Sequence, residues 1–320
     1  MPLESRDGEP VITDGLVRAL LREQHPDLAH MPLGVPVRGW DNTMVRLGER
    51  LALRLPRHAQ AESLLDREVA WLPRLASQLA GLPSGIPHHT IPVIPTPVRT
   101  GVRRAGYPFR WAVVPWVYGT PAVHMPLGVR DAYASSLAAV LHGLHRPAPG
   151  GAPTNVFRGV GVAAVADRFA QRRTALAEEL STEQQDRLDA AWAGALAAAP
   201  HTGPALWLHG DPHPNNTVLA GVGSWNPGPV VLVDFGDLCA GDPASDLGAA
   251  LLHFSQPGRR RFRAAYDALA GSPGGTEPDA GRAREALWAR ATGWAASFSL
   301  LYAAQPESDP LRPLGRYQLG

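Results

Sequence analysis

The first periodic stretch opens at Thr13-Asp14, a good helix-capping pair, and places Leu16, Val17, Leu20 and Leu21 at helical spacing. The period then shortens to two. Thr43–Leu47 and Leu51–Leu55 read as strands joined by a tight Gly48-Glu49-Arg50 turn. In the second run Leu51, Leu53 and Leu55 share one face, while Ala52 and Arg54 share the other. Residues 60–80 return to helical spacing through Leu64, Leu65, Glu68, Val69, Leu72 and Leu75, with Glu68 on the apolar face. Proline-punctuated strands are expected near Ile91–Arg99 and Phe109–Val114. After Pro115-Trp116-Val117-Tyr118-Gly119 the chain turns alanine-rich, with helices expected over 129–145, 161–180 and 182–199. Short β pieces follow at Ala205–Leu208, Thr217–Ala220 and Val230–Val233, then helices at about 243–255, 258–270 and 280–302. Strands first and helices later predict an α+β fold of two lobes, with residues 1–115 as the first, a hinge at 116–119, and residues 120–320 as the second. No internal repeat is visible.

Composition narrows the chemistry. The chain has 320 residues, 45% of them apolar, enough to bury a sizeable core. Its 30 basic residues are all arginine. With no lysine, Schiff-base catalysis and a P-loop NTPase site are excluded, and a protein-kinase-type site would lack its strand lysine. A net charge of +1 argues against a dedicated nucleic-acid binder. One cysteine, Cys239, allows neither an intramolecular disulfide nor a Cys-rich zinc site. The opening MPLESRDGEP has charges where a signal peptide has an apolar core. The long uncharged stretch Ala190–Gly210 is broken by Pro200, His201 and Pro204, so no membrane helix is expected and a cytoplasmic protein is the default. His142 and His145 lie near a helix end without a matching ligand cluster, and His88-His89 reads as a loop. Arg259-Arg260-Arg261 reads as the start of a solvated helix, and Trp71, Trp192, Trp288 and Trp294 as core.

The most informative segment is His209-Gly210-Asp211-Pro212-His213-Pro214-Asn215-Asn216, followed by Val231-Leu232-Val233-Asp234-Phe235-Gly236-Asp237. Asp234 ends an apolar run, and a turn at Asn226–Gly228 would fold the two segments together as a hairpin. A free carboxylate, an amide oxygen and a metal-binding carboxylate would then converge. Phosphoryl transfer from a nucleotide needs such a set: a base for the attacking hydroxyl and oxygen ligands for Mg²⁺ on the phosphates. Turn and capping duty is the plainer explanation for Asp and Asn in such loops. Two loops in the right order within the expected strand context favour the chemical one. Asp242-Pro243 reads as a helix N-cap followed by proline in the first turn. Asp237 reads as a solvated loop carboxylate, His213 as a packed loop histidine and Cys239 as a small packing residue.

These residues resemble the aminoglycoside phosphotransferase family of the protein-kinase-like superfamily. HGDPHPNN is similar to its catalytic loop, with Gly210 where protein kinases usually carry Arg, and DFGDLCAGDPASDLGAAL is similar to its metal segment. The resemblance spans roughly residues 35–300. It implies a two-lobed kinase-like fold with an antiparallel first lobe carrying one key helix and a mainly helical second lobe. It implies Asp211 as catalytic base, Asn216 and Asp234 as Mg²⁺ ligands, and His209, Asp242 and Asp246 as structural support. Asp246 in that family braces the catalytic loop through backbone N–H groups. Arg54 stands at the superfamily's strand-lysine position, and an ion pair with Glu68 would aim its guanidinium at nucleotide phosphates as a fork. The turn before Thr43, with the Asn42 and Thr43 side chains, is a candidate phosphate contact. Pro115 (through its carbonyl) and Val117 (through its N–H) are candidates for the purine edge.

The implied activity is Mg²⁺-dependent transfer of the γ-phosphoryl group of ATP or GTP to a hydroxyl of a small molecule. An antibiotic of aminoglycoside, macrolide or nucleoside type, with resistance as the outcome, is the first expectation. A metabolite kinase acting on a sugar, homoserine or choline-like alcohol is the alternative, and a pseudokinase-like binding module a further one. Residues 120–320 hold 18 Asp plus Glu against 16 Arg, which shows no marked acidic excess for a polyamine acceptor. No protein partner is implied.

Overall fold

The computed structural model describes residues 9–80, 92–220, 230–270 and 277–319. The expected turn at Asn226–Gly228 and the His88-His89 loop lie outside them. The fold is mixed, with an antiparallel-sheet N-terminal part and a helical C-terminal part. The chain divides into two compact units. One gathers the chain up to residue 80 with Val93–Val117, and the other runs from Tyr118 onward.

In the first unit, helix α1 (Asp14–Gln24) is capped by the Thr13 hydroxyl, which accepts from Leu16 N at 3.2 Å. Strands β1 (Val37–Arg38), β2 (Asn42–Leu47) and β3 (Leu51–Pro56) precede helix α2 (Ala59–Ala80). Strands β4 (Arg99–Gly101) and β5 (Trp111–Pro115) complete an antiparallel sheet in the order β1-β2-β3-β5-β4. Side-chain alternation sorts β3 onto two cores. Leu53 and Leu55 pack with Val17, Leu20 and Leu21 of α1 and with Val45, Trp111 and Val113. Ala52 packs on the other face with Ala112, Val114 and Leu65. Arg54 alternates onto that second face, opposite Met44 and Ala112, towards the buried row Leu65, Glu68, Leu72 and Leu75 of α2.

The strand expected over Ile91–Arg99 is misplaced. Pro92, Pro95 and Pro97 have no N–H to give a ladder, and residues 92–97 are irregular. Pairing begins only where Val98 N–H meets Val113 O at 2.8 Å and Arg99 faces Val113.

In the second unit, β6 (Thr120–Pro121) is followed by α3 (Leu127–Arg130) and α4 (Ala134–Leu144). The single helix expected over 129–145 is thus broken at Asp131–Tyr133, a short 3-10 turn. There the Asp131 carboxylate accepts from Ser255 N (3.0 Å) and Ser255 Oγ. Likewise the 161–180 segment reduces to α5 (Ala166–Ala175) between two tighter turns. Helix α6 (Thr182–Ala197) starts with a full capping box at Ser181 and Gln184. Strands β7 (Leu206–Leu208), β8 (Thr217–Leu219), β9 (Val230–Leu232) and β10 (Cys239–Gly241) form two small antiparallel sheets, β10-β7 and β6-β8-β9. Helices α7 (Ala244–Leu251), α8 (Gln256–Ala270), α9 (Glu277–Ala303) and α10 (Arg312–Leu319) complete the unit. Helix α8 begins before Arg259, which is half-buried and donates to Leu251 O at 3.1 Å, so the arginine run is not wholly solvated. Among the described residues no helix is long and apolar enough to cross a membrane.

Candidate active site

The first unit joins three of the sequence-selected residues. Arg54 Nη1 lies 2.6 Å from both carboxylate oxygens of Glu68, and both side chains are buried. With its amide oriented to satisfy the network, Asn42 accepts from Arg54 Nε and Nη2, each at 3.1 Å. The fork edge of the guanidinium therefore faces Asn42, in contrast to the open fork expected from its strand position. Asn42 and Thr43 are themselves buried. The turn before them closes through Gly39 N–H on Asn42 O at 2.8 Å. Arg57, buried and overlooked in the sequence, clamps that turn by donating to the carbonyls of Gly39 and Trp40 while pairing with Glu9. Pro115 and Val117 are half-buried. Between them, Trp116 N–H is held by Arg50 O at 2.8 Å.

The second unit carries the HGDPHPNN loop between β7 and β8. Every turn of this loop is tied. The Asp246 carboxylate accepts from His209 N (Oδ2, 2.8 Å) and Gly210 N (Oδ1, 2.9 Å), a charge-assisted pair in a fully buried setting. His145 Nε2 lies 3.3 Å from the same Oδ2. His209 accepts the Asp211 N–H on Nδ1 (3.2 Å) and donates from Nε2 to Val233 O (3.0 Å). Burial holds its pKa below the usual range, so the ring stays neutral. His253 does the same from α7's C-terminal side. Its Nε2 donates to Pro212 O at 2.9 Å, and its Nδ1 accepts from the Tyr133 hydroxyl at 2.9 Å. Burial lowers its pKa to about 3. Gly210 sits at φ 89°, and a Cβ there would lie 2.2 Å from Asp237 O, so the position kinases fill with Arg here admits only glycine.

Asp211 is thereby fixed with its two oxygens in different settings. Oδ2 lies 3.3 Å from His213 Nε2. Oδ1 lies 3.5 Å from Arg158 Nη2 and, although buried, has no hydrogen-bond partner. His213 Nδ1 faces Asn216 N–H at 3.2 Å, so the N–H directed at Asp211 is Nε2–H. Burial alone would raise the Asp211 carboxyl pKa, but His213 and Arg158 outweigh it and carry it below the usual range. The carboxylate is therefore ionised near neutral pH.

Asn216 donates from Nδ2 to Asp211 O at 3.2 Å, which fixes its amide. The β8–β9 ladder, with Thr217 facing Leu232, continues through Val233 N–H on Asn216 O at 2.9 Å. It delivers Asn216 and Asp234 to the same end of the sheet. Asp234 lies two residues beyond β9 and is exposed, with its backbone in the left-handed region at φ 63°. Among the described residues no group of three or more His, Cys, Asp or Glu could hold a metal. Mg²⁺ does not ask for one: it takes one or two protein oxygens and completes its shell with phosphates and water. Asp234 and Asn216 fit that demand.

Asp242 serves the start of α7 and a buried ion pair. It accepts from Ala244 N (3.0 Å) at the start of α7 and pairs with buried Arg290 at 2.7 and 3.2 Å. Asp237 is half-buried, not solvated. It accepts from Asn155 Nδ2 at 2.7 Å, and burial with nearby Asp211 raises its pKa. Arg158, Asn155, His253 and Tyr302 were missed in the sequence. One signal existed for Arg158: it is the only charged residue between Pro147 and Ala166. Its segment is strapped along β10 by Ala240 N–H on Pro153 O and Asp242 N–H on Gly159 O, both 2.8 Å. Its guanidinium lies over the Phe298 ring, 4.8 Å from the centroid.

Similarity to known proteins bears on the fold and the family. The solved structure of the GDP complex of aminoglycoside 2'-phosphotransferase-IIIa superposes with a TM-score of 0.62 at 18% identity, covering 96% of this chain and 97% of that one. Macrolide 2'-phosphotransferase MphH from Brachybacterium faecium gives 0.56 at 18%, covering 96% and 97%. The streptomycin–ATP ternary complex of the phosphotransferase APH(2")-IIa gives 0.54 at 16%, covering 94% and 93%. At these identities the likeness establishes the fold. No curated protein matches in sequence. The model of the phosphotransferase enzyme family matches residues 34–288, which include the HGDPHPNN loop and Asp234, and the chain belongs to that family.

Proposed function

We propose that this phosphotransferase moves the γ-phosphoryl group of ATP or GTP, with Mg²⁺, to a hydroxyl of a small molecule. The carrying observation is Asp211: ionised, fixed by backbone ties on every side, and with Oδ1 buried but unbonded. An acceptor hydroxyl placed there would donate to Oδ1. Its oxygen would form the new bond to γ-phosphorus as the bond to the β–γ bridging oxygen breaks, and its proton would pass to Asp211. His213 Nε2–H on Oδ2 keeps the carboxylate turned for that contact. Asp234 and Asn216 would hold the metal, which neutralises charge on the phosphates. Arg54 is the basic group we assign to the donor phosphates in a chain without lysine, with Asn42 giving up the fork edge when nucleotide binds. Pro115 O and Val117 N–H are assigned to the purine edge, and residues 116–119 to a hinge between the two lobes.

Solved neighbours are complexes with GDP, with ATP and streptomycin, and with kanamycin, which supports a nucleotide donor and a small-molecule acceptor. The acceptor class is proposed to be an antibiotic, with resistance as the outcome. A panel of antibiotics and metabolite alcohols incubated with magnesium nucleotide, read by mass gain of one phosphate, tests this. A phosphorylated antibiotic supports it. Phosphorylation of metabolite alcohols alone would transfer the reading to a metabolite kinase, and nucleotide binding without any product would leave only a binding module.

A further inference from the structure

Three buried polar atoms around Asp211 have no hydrogen-bond partner: Asp211 Oδ1, Arg158 Nε and Tyr302 Oη. They belong together. Arg158 Nη2 lies 3.5 Å from Asp211 Oδ1, and the Tyr302 ring is edge-on to His213 at 5.9 Å and stacks with Phe298, the ring beneath Arg158. Buried polar atoms are almost always paired, so three orphans in one place mark a site for an outside ligand. Arg158 Nε can only donate, Asp211 Oδ1 can only accept, and the Tyr302 hydroxyl can do either.

The wider charge is mixed: Asp211, Asp234 and Asp237 stand near Arg158, and α5 adds two further cations. Arg168 and Arg172 stand one turn apart on α5, with Arg168 over the Phe157 ring next to Arg158. Neither has a carboxylate partner among the described residues. Arg172 is depressed by burial and by the positive charge of Arg168 and Arg158, which places the three guanidinium groups within one another's field. The facing acid, Asp237, is held by Asn155. With Asp234 assigned to the metal, Asp237 tied by Asn155 and Asp211 facing the hydroxyl, a polyammonium acceptor would still meet three cations here. An anion would meet them with its charge opposed.

We propose that the acceptor alcohol carries an oxyanion, a carboxylate or phosphate, close to the hydroxyl that meets Asp211. Arg158 and Tyr302 donate to that oxyanion, and Arg168 and Arg172 attract it at longer range. This rests on the assignment of Asp211 as base and narrows the acceptor class, away from aminoglycosides. Arg158 binds; it takes no proton.

The test uses the full chain saturated with Mg²⁺ and ADP, titrated with malate, with its uncharged diamide, and with spermidine, followed by ligand-observed NMR. Malate is expected to bind about tenfold or more tighter than the diamide, and Arg158→Gln and Arg172→Gln are each expected to remove about that preference. Arg172 is half-exposed, so its variant keeps the test valid if Arg158→Gln fails to fold. Replacing ADP by β,γ-imido-ATP should leave malate bound. Four results would overturn the proposal: equal or no binding of malate and diamide, spermidine binding in place of malate, an unchanged preference in the Arg172 variant, or loss of malate under imido-ATP. The last would assign the oxyanion to the donor's γ-phosphoryl group. ADP binding is read in the same sample. Its absence would count against the phosphotransferase reading, while the malate preference reports on the arginines alone.

Discussion

Asp211 shows how a half-buried carboxylate can stay ionised. Its burial would favour the neutral acid, yet the His213 N–H and the Arg158 charge reverse that preference. A neighbouring buried group makes the energetic cost of such a site measurable. His253 has a folded pKa lowered to about 3 from 6.5 because burial disfavours the imidazolium. Between those values the unfolded chain binds the proton and the folded chain does not, so stability is present near pH 7 and falls as pH drops. By pH 5 the loss should be ~2 kcal/mol from this residue. Urea unfolding at pH 7 and pH 5 should show that the difference shrinks in His253→Gln, whose amide can still donate to Pro212 O. An equal pH effect in both proteins would remove His253 as its source.

Among the elements, the loop between β7 and β8 was the most legible in the sequence, because its residues act on one another at short range. The bonds from Asp211 N to His209 and from Asn216 to Asp211 O span only two and five positions. Arg54 and Glu68 were legible because alternation in β3 and helical spacing in α2 put each on a face. Asn155, Arg158 and Tyr302 reach the site from distant segments, and no local period announces a single long-range contact. Strands β6 and β10 have two or three residues, too few for a period, and α10 contains Pro313 and Gly315, which blur a helical signal. The prolines of 92–97 misled because apolar residues between them look like a strand. Two substitutions test how the loop is held. Asp246→Ala leaves two buried N–H groups unpaired and should cost about 3 kcal/mol in urea unfolding. Gly210→Ala forces a Cβ onto Asp237 O and a side chain into the left-handed region, and should cost ~1–3 kcal/mol while lowering turnover at least in parallel. Stability unchanged by either would mean that the loop is not tied as described.

In the molecule as a whole, a chain without lysine carries in its first unit a buried arginine between Glu68 and Asn42. Removing Glu68 alone would strand that charge. Glu68→Ala should cost about 3–5 kcal/mol. Because the two units have separate cores, hydrogen exchange should rise mainly in residues 9–80 and 93–117. A uniform rise along the chain would contradict that division. Asp211 is proposed to receive the acceptor's proton. The most direct measurement of this role pairs nucleotide affinity with single-turnover phosphate transfer in Asp211→Asn, using whichever acceptor gains phosphate with the wild-type chain. The expected result is unchanged magnesium-nucleotide binding and transfer slower by roughly 10²–10⁴-fold. Transfer at the wild-type rate would contradict it.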